Sequence, residues 1–371
     1  MPKILHLLSA RCEWETAMRV ATLAAALREH GFSSAVTAPG GSRLWEFAEA
    51  AGVEIAPFPL KNSLNPLRWR ELVRLLDNQA PDLVHVHDPE AASLLSRAGL
   101  FGAQAAAAAT RYDIRKPPIS AEFSGVGAVI CPSRAVAGAF TAAKAEAGKV
   151  HIVHHGVNLA AADRALEDRD AFRARFRSAY CPAKEKPIFM VNIAPIENEN
   201  GQAELLETLA ESVSALPQTH LFIMGAGTLE EGLSRQIRIM ALEKDVSILE
   251  PDRAYQQLLA AADLYVSASR NDVSGFMLQS AMAAGRAAAL ARAGCYPELS
   301  EDGINAALAD PGEERSFKSA VLELLGNRNR REHLGRLARA AAVRMFDVSK
   351  QAGLAAEIYR NLPQLRERPE A

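Results

Sequence analysis

Short apolar runs alternate with longer amphipathic stretches from the start of the chain. Residues 4–8 form a run of strand length. Residues 13–30 follow, with Val20, Leu23, Ala24 and Leu27 on one helical face and Gly31 behind them as the stop. The couplet recurs, with strands predicted at 34–37, 53–56, 82–87, 126–131 and 150–153 and helices at 44–51, 66–78, 89–99 and 133–147. The alanine run at 105–109 fits either state. Strand and helix in turn at these spacings require parallel strands joined by helical crossovers. The pattern lapses from Gly156 to Lys186, a charged stretch that reads as a connection with one short helix at 170–178. It then restarts, with strands at 187–192, 220–224, 246–249, 263–268 and 287–291 and helices at 201–216, 228–243, 252–262 and 276–284. Helices fill most of 313–344 and 349–361. The expected fold is α/β, with two Rossmann-like, doubly wound parallel-sheet domains facing a cleft at the carboxyl ends of both sheets. Their expected bounds are 1–160 and 187–348, with 161–186 as the connection.

Composition narrows the function classes. The chain has 371 residues, of which 49% are hydrophobic and 23% charged, as in an ordinary globular enzyme. No apolar run approaches the roughly 18 residues of a membrane-spanning helix. Met1-Pro2-Lys3-Ile4 leads straight into a strand without signal-peptide anatomy, so a cytoplasmic location is expected. The 42 basic and 44 acidic residues form no concentrated basic stripe, which argues against nucleic acid as a partner. Four cysteines without metal or redox spacing read as reduced thiols. His85 and His87 share one strand face, but two histidines without a clear third ligand make a weak metal site. Lys61, Arg68, Arg70 and Arg74 surround Leu67, Trp69 and Leu72. That pattern fits either the solvated face of a surface helix or peripheral contact with anionic lipid through 61–74.

The order of segments resembles the retaining GT-B glycosyltransferases, specifically their large family 4. In the first half the resemblance rests on Pro81-Asp82-Leu83-Val84-His85-Val86-His87, Val129-Ile130-Cys131-Pro132-Ser133 and Lys149-Val150-His151-Ile152-Val153-His154-His155-Gly156. In the second half it rests on Leu221-Phe222-Ile223-Met224-Gly225-Ala226-Gly227, Ala261-Ala262-Asp263-Leu264-Tyr265-Val266-Ser267, Ser280-Ala281-Met282-Ala283-Ala284-Gly285 and Gly294-Cys295-Tyr296-Pro297-Glu298. The resemblance implies a nucleotide-sugar donor on the C-terminal domain and a glycan or lipid-linked acceptor on the N-terminal one. It also implies transfer with retention of configuration, no metal or other cofactor, and a C-terminal helix within 349–371 that packs back on the first domain. A peripheral position at the inner membrane face and a part in cell-envelope polysaccharide synthesis are further expectations of that kind.

The same comparison assigns candidate residues. A leaving diphosphate needs cations or backbone N–H groups already aimed at it. Family members place an Arg and a Lys after the first strand of the C-terminal domain. Here Asn200 stands at the Lys position, the Arg position falls near Ile193, and no Lys or Arg occurs from 187 to 234. Asp272 and Ser280 stand at the two positions of the family's Glu-x7-Glu segment. Between them Ser274-Gly275-Phe276-Met277 opens a helix whose N–H groups suit a phosphate or sugar oxygen, with Ser274 as the expected N-cap. Arg270 is a substitute cation for the diphosphate or a partner for nearby carboxylates. Gly225 and Glu298 match the family's nucleotide-side loops, although Glu298 equally suits a helix cap. Tyr112-Asp113 stands where a His-Asp pair is expected. Arg11, Arg111 and Arg115 are candidate cations on the acceptor side. Two readings follow: a transferase with an altered donor site, or a GT-B-shaped protein without catalysis that acts as a binding or partner subunit.

Overall fold

The computed structural model describes residues 1–366 apart from 11, 62–63, 100–105, 115, 253 and 311–313. The chain divides into two compact units, Met1–Gly156 with Val348–Ala371, and Val157–Asp347.

The first unit is a parallel sheet of β1 (Lys3–Leu7), β2 (Ser33–Ala38), β3 (Glu54–Pro57), β4 (Leu83–Val86), β5 (Ala106–Thr110), β6 (Ala128–Cys131) and β7 (Val150–Ile152), in the order β3-β2-β1-β4-β5-β6-β7. The alanine run, ambiguous by periodicity, supplies β5. It lies between β4 and β6 and is buried along its length, as parallel strands covered on both faces are. Register places Ile4 beside Leu83 and His6 beside His85. The predicted helix at 13–30 is helical over Trp14–Ala26 and tightens to a 3-10 turn at Leu27–His30, where Gly31 (φ +84°) ends it. Local chemistry starts the crossovers. Asp88 accepts from the Ala91 N–H at 2.9 Å with Pro89 in the first turn, and Ser133 accepts from the Val136 N–H. The helix Val348–Arg360 belongs to this unit. It buries Ala352, Ala355, Ala356 and Tyr359 among Ile4, Phe32, Leu83, Ala108 and Ile130.

The second unit is a parallel sheet of β8 (Ile188–Ile193), β9 (Thr219–Met224), β10 (Val246–Leu249), β11 (Leu264–Ser267), β12 (Ala287–Ala291) and β13 (Ala307–Ala309), ordered β10-β9-β8-β11-β12-β13. β13, only three residues long, had no periodic signal of its own. The stretch expected to be a connection is different in kind. The helix expected at 170–178 is present as Arg169–Tyr180, a second helix, Leu159–Glu167, precedes it, and both belong to the second unit. Its charges misled because they are not all solvated. The Arg173 guanidinium donates to the carbonyls of Ala261 (2.5 Å) and Pro187 (2.8 Å) and to the Asp263 carboxylate (2.9 Å), which fastens the helix to the starts of β8 and β11.

Candidate active site

In the second unit the expected donor residues gather on loops that leave the carboxyl ends of β8, β9, β11 and β12. After β8, Asn200 is spent on the loop itself. Its Nδ2 donates to the Pro195 carbonyl at 2.8 Å and its Oδ1 accepts from the Ser269 hydroxyl at 3.2 Å. Ile193, near the expected Arg position, is buried within β8. Glu197 accepts from the Thr228 N–H (3.1 Å) and hydroxyl (2.5 Å), so one of the loop's carboxylates is anchored to the next loop. The loop after β9 is stacked backbone to backbone on this one. A Cβ at Gly225 would lie 2.0 Å from the Ala194 carbonyl oxygen, and one at Gly227 would lie 2.3 Å from that of Ile196. Gly225 is therefore required by this packing.

After β11 the chain makes an Asx turn. Asp272 Oδ1 accepts from the N–H groups of Ser274 and Gly275, both at 2.9 Å. The N-cap of the helix Phe276–Ala283 is Gly275 (φ +65°), one residue beyond the expected Ser274. Gly275 has no side chain with which to cap this helix, and the helix start carries the partial positive charge of its dipole. Phe276 and Met277 are buried, so what they offer is backbone. Ser280 is buried and donates its hydroxyl back to the Phe276 carbonyl at 2.9 Å. Arg270 is largely exposed and pairs with Glu204 at 3.7 Å, not with Asp272.

The loop after β12 interlocks with this turn. The Cys295 N–H donates to the Asp272 carbonyl at 2.8 Å, and Gly294 (φ +57°) passes so close that a Cβ there would sit 2.1 Å from that carbonyl oxygen. Glu298, on the short helix Tyr296–Leu299, is carried to the same place. Burial pushes the Cys295 thiol well up, and the charges of Asp272 and Glu298 push it further. Sequence reasoning missed Gln279. It is fully buried one turn into the helix, and neither amide atom has a hydrogen bond among the described residues. An amide directly after the apolar run Phe276-Met277-Leu278, on the same helix, was the available signal.

The first unit organises its candidates around a buried histidine cluster. His85 and His87, read as a pair without a third member, are joined by His6, because β1 lies beside β4. Ring nitrogens of the three lie within 4.8 Å of one another. Each is already in a hydrogen bond. His6 bonds His87 (2.9 Å) and Ser34 (3.3 Å), His85 bonds Thr110 (2.8 Å) and Tyr359 (2.8 Å), and His87 also bonds Tyr112 (2.9 Å). Burial lowers all three, His6 to about 3, so these are neutral imidazoles. The Tyr112 hydroxyl is thus held by His87, while Arg19 lies 4.8 Å over its ring and His155 stacks on it. Arg111 is buried and committed. It donates to Glu122 at 2.9 Å and to the carbonyls of Asp113 (2.8 Å) and Lys116 (2.7 Å), and its nearest approach to the half-exposed Asp113 carboxylate is 3.7 Å. It shapes the 111–122 loop and is not presented to an acceptor. Arg11 and Arg115 lie outside the described residues.

Two parallel α/β units with loops of this kind define the GT-B class of glycosyltransferase. Residues 177–341 match the family Glycosyl transferases group 1 and residues 16–161 match Glycosyltransferase Family 4. The chain belongs to these group 1 glycosyltransferases. It is 27% identical over 181 residues to the sulfoquinovosyl transferase SQD2 of Arabidopsis thaliana, a match covering 46% of this chain and 34%, about a third, of that relative's length. In fold it is similar to a glycosyltransferase from Rickettsia africae (TM-score 0.83, 15% identity, 99% of each chain). It is equally similar to Anabaena HepE, solved in complex with UDP and glucose (TM-score 0.83, 20% identity, 98% of this chain and 100% of that one). Among the described residues no helix is long and apolar enough to cross a membrane.

Proposed function

We propose that the protein transfers a sugar from a nucleotide-diphosphate donor to a glycan or lipid-linked acceptor, with retention of anomeric configuration, in cell-envelope polysaccharide synthesis. The observation that carries this reading is the Asp272 turn at the start of the helix Phe276–Ala283, interlocked with the loop that leads to Glu298. As the bond from the anomeric carbon to the leaving phosphate breaks, negative charge grows on the diphosphate. The positive end of that helix dipole stabilises it without side-chain cations and without a metal. Asp272 uses Oδ1 to hold the turn, which leaves Oδ2 for a sugar hydroxyl. Glu298 and Gly225 complete the nucleotide side, with Ser280 reduced to a minor contact. Tyr112 and Asp113 serve the acceptor side. HepE is solved with UDP and glucose and SQD2 is named for glycosyl transfer, which fits a donor of this type.

One observation favours the second reading, a non-catalytic binding or partner subunit. Arg270 is paired with Glu204, Asn200 is consumed by its loop, and 187–234 contains no cation. Calorimetric titration with UDP and GDP, followed by a donor-turnover assay on the parent and on Asp272→Asn, separates the two. The expected result is nucleotide binding by both proteins, with turnover reduced about 100-fold in the variant, the scale of one lost transition-state contact. Binding of nucleotide without turnover in the parent supports the partner-subunit reading. Binding of neither nucleotide sinks the transferase.

A further inference from the structure

The sheet of the second unit has a second populated edge. At the amino ends of β8, β11 and β12, the helices Arg169–Tyr180 and Arg328–Met345 enclose a pocket of about 910 Å³. This is the far end of the strands from the Asp272 turn. Nine arginine and lysine side chains and four carboxylates line it, in a chain whose net charge is −2.

The floor of the pocket is built from arginines held by carbonyl oxygens. Arg286 donates to Ala284 (2.7 Å) and Ala262 (2.8 Å), and Arg331 donates to Leu324 (2.5 Å) and Leu325 (2.8 Å). Carbonyls orient a guanidinium without neutralising it. Asp263 is shared between Arg173 at 2.9 Å and Arg169 at 3.6 Å. Positive charge is left over. Burial, with Arg169 and Arg173 beside it and only Asp263 opposing, brings Arg286 down to about 10. At the rim, Arg169 keeps a buried Nε without a hydrogen bond, and Arg336 is exposed with no ion pair among the described residues. The fold thus holds like charges together in a concavity of small-molecule size. Planar guanidinium forks match phosphate oxygens two at a time.

We propose that this pocket is a polyanion site, separate from the donor site, for a compound bearing at least two phosphate groups. It does not rest on the transferase reading. The phosphates come either from a free polyphosphate or from an anionic lipid headgroup.

Thermal unfolding of the full chain in sodium tripolyphosphate tests it, on the parent, on Arg336→Glu and on Arg169→Gln/Arg336→Glu. The expected result is a saturable rise in Tm at sub-millimolar tripolyphosphate in the parent, with the midpoint weakened at least tenfold in the double variant. The circular dichroism spectrum and cooperative ligand-free unfolding of the double variant should match the parent's, which shows that it is folded. Sedimentation with vesicles containing cardiolipin, whose headgroup bears two phosphates, names the source. Retention lost in the double variant assigns a lipid headgroup. Retention unchanged beside a lost tripolyphosphate response assigns a free polyphosphate. No tripolyphosphate stabilisation in the parent, or the same stabilisation in both variants, overturns the proposal.

Discussion

Tyr112 stands where the family resemblance led us to expect a histidine, and its surroundings explain what it can do there. Its hydroxyl is bonded to His87 Nδ1 at 2.9 Å and its ring lies under Arg19. Burial raises its pKa, so it does not shuttle protons near neutral pH; it positions a hydroxyl. Tyr112→Phe strands His87 Nδ1 in a buried site. It should lower the stability of the first unit by about 1–3 kcal/mol, measured by urea unfolding. An unchanged midpoint would mean that the hydroxyl does not satisfy His87. At this scale the sequence was legible where a residue acts through its own backbone neighbourhood. Asp272 and Gly275 announce a turn before a helix by residue type alone. Arg111 was opaque, because its partner Glu122 lies eleven residues on and only the folded loop brings them together. His6 was opaque for a similar reason, since only the strand order β1-β4 makes it a neighbour of His85 and His87.

Among the elements, the alternation of strand and helix was readable because buried parallel strands and amphipathic crossovers leave different periods. It missed the helix Leu159–Glu167, which precedes the expected one around Arg173, and it could not decide a strand built of residues with no preference, as in β5. The basic helix of the first unit, Pro66–Gln79, shows how pattern and burial divide. Leu72 and Leu76 face inward, while Leu64 and Leu67 stay exposed beside Arg70 and Arg74. We propose that this exposed edge is the peripheral membrane contact of the transferase reading. Leu67→Asp should then reduce retention on phosphatidylglycerol vesicles several-fold in sedimentation while leaving thermal stability near the parent value. Equal retention would return the helix to the status of an ordinary solvated face.

For the molecule as a whole, the buried histidines set a pH dependence. In the unfolded chain a histidine takes a proton as pH falls through about 6.5. Native His6 resists until about 3, and His85 and His87 are lowered with it. Between those values the unfolded state binds more protons, so stability falls as pH falls, by about 1.4 kcal/mol per pH unit for each histidine kept neutral. The urea midpoint of the first unit should therefore drop steadily from pH 7 to pH 5, and His6→Gln should flatten that slope. A midpoint independent of pH across this window would show the cluster to be hydrated.

The first unit is assembled from both ends of the chain, and His85 receives its tyrosine partner from residue 359. During synthesis the ribosome releases seven strands of that sheet early, yet the helix that covers them emerges only after the whole second unit. For the time taken to translate the intervening 191 residues, Val157–Asp347, the nascent sheet waits with an uncovered apolar surface. The maturation of this unit is thus timed by the helix Val348–Arg360. Premature termination before Val348 would leave an aggregation-prone intermediate, not a smaller working enzyme.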